Sequence, residues 1–495
     1  MAEEPLRAII IGDYTTKTGL GTAINIPMRK LAREGIITPI MLGTGFSGWN
    51  VFLDDEYDSY PILPMISLNG KHPDIFGKDC LHGALAAYEK KYNAPIDLAI
   101  LCNDVQHQHY VALPEQALQK GDIPSEAVPI FSKYYRTFRH LAYFPIDGLC
   151  KDETFHPHLK PIIREMDYPV CICNWIKDAI KKDIGIEPDM IYHGVDTKIF
   201  KPVNKKEARK KLNLYQFGLS EDAFVVGMIG TNQNRKKFED FIPAMAELIK
   251  QRDNVYFFCF TEYKSRYQGN HDLLQLMAQY GINERCIDTR KYLGCPDEGS
   301  EETVGMTDIY GMADVTVLLS IGEGFGIPPL YSRSMGIPCL VTDCTAMSEL
   351  CADDFERIPV KWWYHGSGIN LVRYITDTDE LVKRLIRLYD NREMIKKLGE
   401  KCREMACEVF DYDTVIIPQW AKLLERVKKD LRDNPPPGRR GIRPENVDDI
   451  LQWKNKSLNI VRRYETPVGV DSAETGFETD LEPEPDVSTV KLKSK

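Results

Sequence analysis

Short apolar segments alternate with amphipathic segments along most of the chain. In the first half the apolar segments are RAIIIG, ITPIMLG, DLAILC, HLAYFPI and YPVCICN, and helical periodicity lies between them, as in CLHGALAAYEKKYN. Brief apolar strands separated by helices are typical of a mostly parallel sheet with helices on both faces. We therefore predict a doubly wound α/β domain for residues 1–200.

The same alternation begins again after a polar, basic connector. The segments FVVGMIG, NVYFFCF, RCIDTRK, VTVLLS, PCLVTD and RIPVKW are predicted strands. They predict a second Rossmann-like domain over residues 201–410, with the boundary near 198–222. Two such domains place the carboxyl ends of two sheets on either side of a central cleft, where ligands bind.

The pattern changes again beyond residue 410. FDYDTVIIPQWAKLLERVKKDL predicts a further helix, with Trp420 on its apolar side. NPPPGRRG ends this periodicity. We predict that the extension over residues 432–495 is largely disordered, because residues 471–495 contain few apolar side chains.

Composition narrows the class of protein. The net charge of −10 argues against a general nucleic-acid binder, because affinity for a phosphate backbone depends on clustered Lys and Arg. No apolar run reaches the ~20 residues that span a bilayer, and the acidic start MAEEPLRAIII lacks the basic region of a signal peptide. We expect a cytoplasmic protein. Its thirteen cysteines are scattered, and Cys171 and Cys173 are predicted to lie reduced in the core.

The stretch VTVLLSIGEGFGIPPLYSRSMGIPCLVTD joins a strand, a glycine-rich loop and a helix start. Pro328 and Pro329 fit the first helical turn, where a missing N–H leaves no hydrogen bond unmade. Loop amides beside a helix N-terminus form an anion site suited to a phosphate. The Glu323 carboxylate would repel that phosphate unless it points at sugar hydroxyls beyond it. The alternative is that Glu323 only caps a turn.

These residues resemble a known family. EGFGIPPL followed by SMGIPCLVTD resembles the donor-binding segment of retaining GT-B glycosyltransferases, family four in the usual classification, the glycosyl transferases group 1. IYHGVDTKIFKP resembles the family's segment at the domain junction, and AYFPIDG and the TGLG loop fit its N-terminal half. The resemblance covers residues 7–425 and implies two Rossmann-like domains facing a cleft. It also implies that a helix over residues 411–431 crosses back to the first domain.

The resemblance assigns roles around the glycine loop. Glu323 matches the first Glu of the family's E-x7-E motif, which contacts the transferred sugar. Tyr331 stands where the second Glu usually grips the ribose hydroxyls, and a Tyr hydroxyl cannot clamp two hydroxyls as a carboxylate does. The ribose contact, and nucleotide binding itself, are therefore left open. The donor-binding residues implied in this segment are Gly324, Phe325, Gly326, Ile327 and Tyr331.

GMIGTNQNRKKFEDF resembles the family segment in which an Arg and a Lys bind the leaving diphosphate. Lys236 aligns with the Lys. The Arg position falls on Thr231, so Arg235 is the predicted substitute, and Thr231 and Asn232 are assigned to donor binding. Fixed cations here would stabilise the charge that develops as the donor bond breaks.

The first half adds further candidates. Gly19 and Gly21 in TTKTGLGTA let the backbone approach the donor, but a lone GxG lacks the third glycine of a dinucleotide fingerprint. Asp147 in FPIDG follows a strand end and is predicted to hold a sugar or acceptor hydroxyl. His107, after DLAILC, is predicted to contact the donor sugar; the alternatives are a plain loop histidine or, with His109, a metal ligand. The predicted catalytic set is Glu323, Lys236, Arg235, Asp147 and His107.

Other polar residues allow two interpretations. Asp13 and Lys17 are candidates for acceptor contact or ordinary surface residues. FSKYYRTFRH spaces Lys133, Arg136 and Arg139 or His140 along one helical face, which suits an anionic acceptor, a membrane surface or a merely solvated helix.

Two D-x-D spacings, Asp377 with Asp379 and Asp411 with Asp413, match pairs that bind a metal in the other large glycosyltransferase fold. Neither follows a convincing apolar strand. TDTDE is typical of a helix cap and DYD of a loop into the last helix. We therefore predict no metal site and no cofactor.

The sequence thus predicts a retaining, metal-independent glycosyltransferase of the GT-B fold. Its partners would be a nucleotide-sugar donor and a hydroxyl on a glycan, lipid or protein acceptor, with peripheral membrane contact left open. Two alternatives remain. One is a catalytically inactive binding or scaffold protein of the same fold, motivated by Tyr331 and the missing Arg; the other is a sugar phosphorylase or hydrolase.

Overall fold

The computed structural model describes residues 4–12, 19–43, 62–64, 81–113, 116–117, 137–264, 271–366 and 370–436. All structural statements concern these residues. The sequence candidates Asp13, Lys17, Lys133 and Arg136 lie outside them, as does the predicted tail beyond residue 436.

The described part of the first half forms one parallel seven-stranded sheet in the order β3-β2-β1-β4-β5-β6-β7. Its strands are β1 Leu6–Gly12, β2 Ile37–Gly43, β3 Ile62–Pro64, β4 Leu98–Cys102, β5 Arg139–Phe144, β6 Tyr168–Cys171 and β7 Asp189–Met190. Every residue of the central strand β4 is buried, as expected for a parallel sheet covered on both faces.

Helices cover this sheet. They are α1 Gly19–Arg33, α2 Leu81–Tyr92, α3 His109–Ala112, α4 Leu159–Arg164 and α5 Asn174–Asp183. In α1 the residues Ile24, Met28 and Leu31 are fully buried, and their spacing of four and three residues places them on one helical face.

The second half forms a five-stranded sheet in its described part, in the order β12-β11-β10-β8-β9. Its strands are β8 Phe224–Ile229, β9 Val255–Phe260, β10 Val315–Leu318, β11 Cys339–Thr342 and β12 Arg357–Ile358. The chain first builds β8 and β9 in one direction and then returns to add β10 on the other side of β8. The topological switch point therefore lies between β8 and β10, where ligands bind in open α/β sheets.

The helices of the second half are α6 Lys205–Lys211, α7 Phe238–Gln251, α8 Leu273–Tyr280, α9 Met306–Gly311, α10 Ile327–Ser334, α11 Thr378–Asp390, α12 Arg392–Val409 and α13 Ile417–Asp433. Among the described helices, none is both long enough and apolar enough to span a membrane.

An antiparallel hairpin, β13 Val360–His365 with β14 Val372–Thr376, joins the two halves. The Val372 N–H donates to the carbonyl of Leu149 in the first half at 2.8 Å. The Tyr374 N–H donates to the carbonyl of Ile321 in the second half at 3.0 Å. The hairpin therefore lies where the facing loops of the two sheets meet.

Helix α13 packs against the first half. The Trp420 side chain is fully buried, and its ring centroid lies 5.0 Å from that of Tyr143. The Tyr168 hydroxyl donates to the Asp430 carboxylate at 2.6 Å. These contacts tie the C-terminal helix to β5 and β6, while the domain limits given by the sequence stay predictions.

Two sequence expectations are wrong. Residues 285–291 form no strand, because only the Cys286 bridge to Phe257 pairs with the sheet and the segment is otherwise polar. Arg139 begins β5 instead of continuing a helix, since pairing with Leu98 of β4 outweighs the local helical spacing. The core role of Cys171 and Cys173 is confirmed: both are buried and neither forms a disulfide.

Candidate active site

The loops after β8 and β10 bring Arg235, Lys236 and Glu323 together. These strands are neighbours, so their carboxyl ends open onto the same side of the sheet. The Ile321 N–H donates to the Arg235 carbonyl at 2.9 Å and fixes the two loops relative to each other. The sequence-predicted cations and carboxylate are thus assembled at the switch point.

The Glu323 carboxylate is 6% exposed and contacts three side chains. It forms an ion pair with Lys236, lies 2.6 Å from a guanidinium nitrogen of Arg235 and accepts a hydrogen bond of 2.6 Å from the Ser320 hydroxyl. The backbone N–H of Glu323 donates to the Thr345 hydroxyl at 3.1 Å. Because its described partners are side chains, the carboxylate is held as a charged group rather than as a turn cap.

The charges in this cluster shift one another's pKa. Burial alone would raise the pKa of Glu323, but the charges of Arg235 and Lys236 outweigh burial and lower it to about 2. Burial also lowers the pKa of Lys236, and Glu323 opposes that shift. Glu323 is therefore ionised at neutral pH. Within this trio two cations share one carboxylate, and the nearby carboxylates of Asp104 and Asp147 add negative charge.

The first half contributes two carboxylates to the same region. Burial raises the pKa of Asp104, Asp147 raises it further and Arg235 lowers it, so these three groups lie near one another. Arg373 donates to the Asp147 carbonyl at 2.8 Å and to its carboxylate at 3.3 Å. Asp147 thus faces the predicted cations across the junction of the two sheets.

Glycines let the two halves approach closely. A Cβ atom on Gly322 would lie 2.2 Å from the Asp147 carbonyl oxygen, and one on Gly324 would lie 2.6 Å from the Cβ of Pro145. Both distances are shorter than real Cβ contacts. Larger side chains at these two positions would therefore push the glycine loop away from the FPIDG loop.

The side chains of Phe325 and Ile327 pack against the core, whereas the backbone after Gly324 leads into the start of α10. Phe325 is buried, with its ring 4.7 Å from that of His193, and Ile327 packs against the core. Gly326 caps α10 with a φ of +118°, which favours glycine. Any donor contact at these positions would therefore come from backbone N–H groups at the start of α10.

Tyr331 lies on α10 and packs against aromatic rings. It stacks on Phe200 with centroids 4.0 Å apart and planes 20° apart, and lies 6.3 Å from Tyr310. Burial raises the pKa of its hydroxyl, and the side chain of Thr22 in α1 opposes part of that shift, so Tyr331 lies near α1.

Two predicted donor-binding residues of the β8 loop point in different directions. The Asn232 side chain is 3% exposed and donates to the carbonyls of Glu262 and His271 at 3.2 and 2.9 Å. It supports the neighbouring loop. Thr231 is exposed. Donor contact by these two side chains stays a prediction.

The remaining N-terminal candidates lie on helices. Gly19 begins α1 and Gly21 lies inside its first turn, so the expectation of a glycine loop is wrong for this pair. The helix accommodates both glycines because its apolar face packs on the sheet. His107 lies in the turn Val105–Gln108 after β4, and its N–H donates to the Asp104 carbonyl at 2.9 Å. Burial lowers the pKa of His107, and His109 lowers it further.

The helix cap predicted for TDTDE is confirmed, whereas the loop predicted for DYD is wrong, because Asp411 caps a π-helical turn over Tyr412–Ile416. Asp377 caps α11 by accepting from the N–H groups of Asp379 and Glu380, each at 3.1 Å. Asp411 accepts from the Thr414 N–H at 2.8 Å, and Asp413 pairs with lysines.

Sequence reasoning missed Arg373, Ser320 and Thr345. Ser320 precedes Glu323 by three residues, a spacing that places both on one tight turn and could have indicated the contact. Arg373 lies far along the chain on β14, and no local pattern connects it with Asp147.

Residues 223–391 match the sequence model of the family described as glycosyl transferases group 1. This segment is similar to a glycosyl transferases group 1 domain. The matched segment contains Arg235, Lys236, Glu323 and Tyr331, together with the bridging residue Arg373. The resemblance to glycosyl transferases group 1 inferred from the sequence is confirmed, while retention of configuration stays a prediction.

Similar proteins extend the comparison beyond the matched segment. The chain is 23% identical over 276 residues to MMP alpha-(1->4)-mannosyltransferase of Mycolicibacterium hassiacum, covering 54% of this chain and 57% of that enzyme. It thus spans little more than half of that relative's length.

Solved structures show the same fold. Sucrose-phosphate synthase of Thermosynechococcus elongatus superposes with a TM-score of 0.62 at 16% identity, over 86% of this chain and 99% of that one. Anabaena HepE, solved with UDP and glucose, gives 0.60 at 13% identity, over 85% and 100%. The predicted GT-B fold is confirmed.

Proposed function

We propose that the protein is a glycosyltransferase that moves a sugar from a nucleoside diphosphate sugar to an acceptor hydroxyl, with retention of configuration and without a metal ion. The observation that carries this proposal is the cluster of Arg235, Lys236 and ionised Glu323 at the switch point of the segment that is similar to a group 1 domain. The solved complex of HepE with UDP and glucose supports the choice of donor class.

Arg235 and Lys236 would bind the leaving diphosphate. Lys236 is buried, so its charge acts in a region from which water is largely excluded and where electrostatic stabilisation is strong. The N-terminus of α10, beginning at Ile327, adds the partial positive charge of a helix start. These fixed positive groups would take the place of a metal ion at the diphosphate.

Glu323 would hold the transferred sugar. Its carboxylate is kept ionised and oriented by Lys236, Arg235 and Ser320, so it can accept hydrogen bonds from sugar hydroxyls. A bound diphosphate would compete with Glu323 for the two cations. The carboxylate would then face the sugar while the cations face the phosphates.

The proposed transfer needs no nucleophile from the protein. The bond between the anomeric carbon and the diphosphate oxygen breaks, and the acceptor oxygen bonds to the same carbon from the same side. The acceptor proton passes to the departing phosphate oxygen. Asp147, Asp104 and His107 belong to the opposite half and would hold acceptor or donor hydroxyls.

Tyr331 favours one competing function, a catalytically inactive protein of this fold. Its ring is stacked on Phe200 and lies in an aromatic cluster with Tyr310. Such a protein would bind a ligand in the cleft without turning it over.

Thermal melting with UDP, GDP and ADP sugars tests the proposal and separates the two functions. A donor present at 100 times its dissociation constant stabilises the native state by about 2.7 kcal/mol. We expect one donor to raise the melting temperature, and we expect its nucleoside diphosphate to appear over time in the presence of an acceptor panel. Stabilisation without turnover would favour the inactive protein. Absence of both effects for every donor would contradict the proposal.

A further inference from the structure

The hairpin of β13 and β14 has solvent-exposed aromatic side chains. Trp362 is 55% exposed and Trp363 is 43% exposed, and contiguous exposed apolar patches often mark interaction sites. Side chains alternate across a strand, so Trp362 and Tyr364 lie on one face of the hairpin, and Trp363 and His365 lie on the other.

Trp362 and Tyr364 form a platform of two rings. Their centroids lie 5.7 Å apart and their planes are inclined by 40°. The rings therefore lie side by side rather than stacked on each other, with Trp362 exposed and Tyr364 half-buried.

This platform is continuous with the candidate active site. Tyr364 pairs directly with Arg373 across the hairpin, which places both side chains on the same face. Arg373 in turn donates to the Asp147 carbonyl at 2.8 Å. A ligand lying on the rings would thus extend toward the carboxylates of the first half.

The chemistry of the platform suits a sugar ring. A pyranose presents C–H groups on its flat face and hydroxyls around its rim, so aromatic faces bind the former while polar groups such as the Tyr364 hydroxyl and Arg373 bind the latter. A membrane surface would instead need the apolar side chains on a single face. Here Trp363 lies on the opposite face, with the Lys151 ammonium 5.7 Å from its ring centroid.

We propose that Trp362 and Tyr364 bind a sugar of a glycan acceptor beside the candidate active site. This inference rests on the proposed function, because it names the acceptor of the same transfer. It commits the acceptor to a carbohydrate rather than a lipid or protein surface.

The test compares the full-length wild type with Trp362→Ala and with Trp363→Ala, which removes the exposed indole of the opposite face. All three are applied to an array of defined oligosaccharides, and the retained saccharides are titrated. We expect Trp362→Ala to weaken saccharide binding roughly tenfold, and Trp363→Ala to match the wild type. Equal melting temperatures of the three proteins establish that the fold is kept.

Three results would overturn the proposal. They are no binding of any saccharide by the wild type, saccharide binding by Trp362→Ala equal to that of the wild type, or a variant Trp362→Ala that loses binding to phosphatidylglycerol vesicles but keeps saccharide binding. Titration of UDP, GDP and ADP into the same samples is a separate measurement of the donor site. If saccharides bind through Trp362 but no nucleoside diphosphate binds, the platform stands and the proposed transfer fails.

Discussion

Lys236 and Glu323, which follow the neighbouring strands β8 and β10, form a buried ion pair in which each side chain is 8% exposed. A buried pair contributes little net stability, because the loss of hydration opposes the attraction, yet removing one partner leaves an uncompensated charge. Arg235 shares the same carboxylate. The ion pair therefore adds little to the stability of the fold. It suits a site in which an anionic ligand takes the place of Glu323 beside the two cations.

Loss of a cation from this cluster should impair turnover. We expect Lys236→Ala to reduce turnover on the order of 100-fold, and Arg235→Ala to reduce it to a lesser degree, because charge on the departing diphosphate is no longer stabilised. Lys237→Ala is the matched control, since Lys237 pairs with Glu239 at 2.8 Å instead.

Initial rates with a saturating acceptor measure the effect. A chelator should leave the wild-type rate unchanged. Normal rates in both cluster variants, combined with full inhibition by the chelator, would show that a metal ion rather than Arg235 and Lys236 stabilises the diphosphate.

Glu323→Gln separates sugar contact from phosphate contact. The amide keeps the size of the side chain but not its charge, so we expect turnover to fall roughly 10- to 1,000-fold. Affinity for the free nucleoside diphosphate should stay close to that of the wild type, because Arg235 and Lys236 remain. Glu239→Gln, at a carboxylate outside the cluster, is the control, and normal turnover in Glu323→Gln would remove the proposed sugar contact.

The same substitution gives a pH dependence of stability. The pKa of Glu323 is lowered from its ordinary value of 4.5 to about 2, because the charges of Arg235 and Lys236 outweigh burial. The folded state therefore binds the proton less tightly than the unfolded state. The stabilisation is fully present above pH 4.5 and is lost as the pH falls toward 2.

Urea unfolding at pH values from 6 down to 2.5 measures this effect as the difference in unfolding free energy between wild type and Glu323→Gln. The difference should shrink on acidification. A difference that stays constant over this range would show that Glu323 has an ordinary pKa.

The sequence predicted the cluster because its parts are local. Each cation or carboxylate follows an apolar strand directly, and the switch-point rule places the ends of β8 and β10 side by side. Arg373 was not predictable in this way, because its partner Asp147 belongs to the other half. Gly19 and Gly21 were misassigned to a loop because glycine lowers helix propensity, although burial of the apolar face of α1 decides the structure.

A substitution at Tyr331 tests whether this position contacts the nucleotide, as the second Glu of the family motif does. Because its ring stacks on Phe200 beside Tyr310 and phenylalanine keeps that ring, we expect Tyr331→Phe to keep nucleoside diphosphate affinity within about twofold and to change the free energy of unfolding by no more than about 1 kcal/mol. Calorimetric titration and urea unfolding measure the two quantities. A loss of affinity of about tenfold with unchanged stability would instead assign the hydroxyl to the ribose.

Gly324 tests whether the close approach of the two halves matters. Alanine at this position would bring its Cβ to 2.6 Å from Pro145, so the glycine loop must move away from the first half. We expect Gly324→Ala to lower turnover at least roughly tenfold, because small displacements of catalytic groups slow a reaction strongly. Rates equal to those of the wild type would mean that the loop moves without affecting the site.

The central claim is that Arg235, Lys236 and Glu323 form a donor site for a nucleoside diphosphate sugar. Calorimetric titration of UDP, GDP and ADP into wild type, Lys236→Ala and Lys237→Ala tests it most directly. The account predicts that one of the three nucleotides binds the wild type and Lys237→Ala alike, and binds Lys236→Ala at least roughly tenfold more weakly. Failure of all three to bind the wild type, or equal affinity for Lys236→Ala, would contradict it.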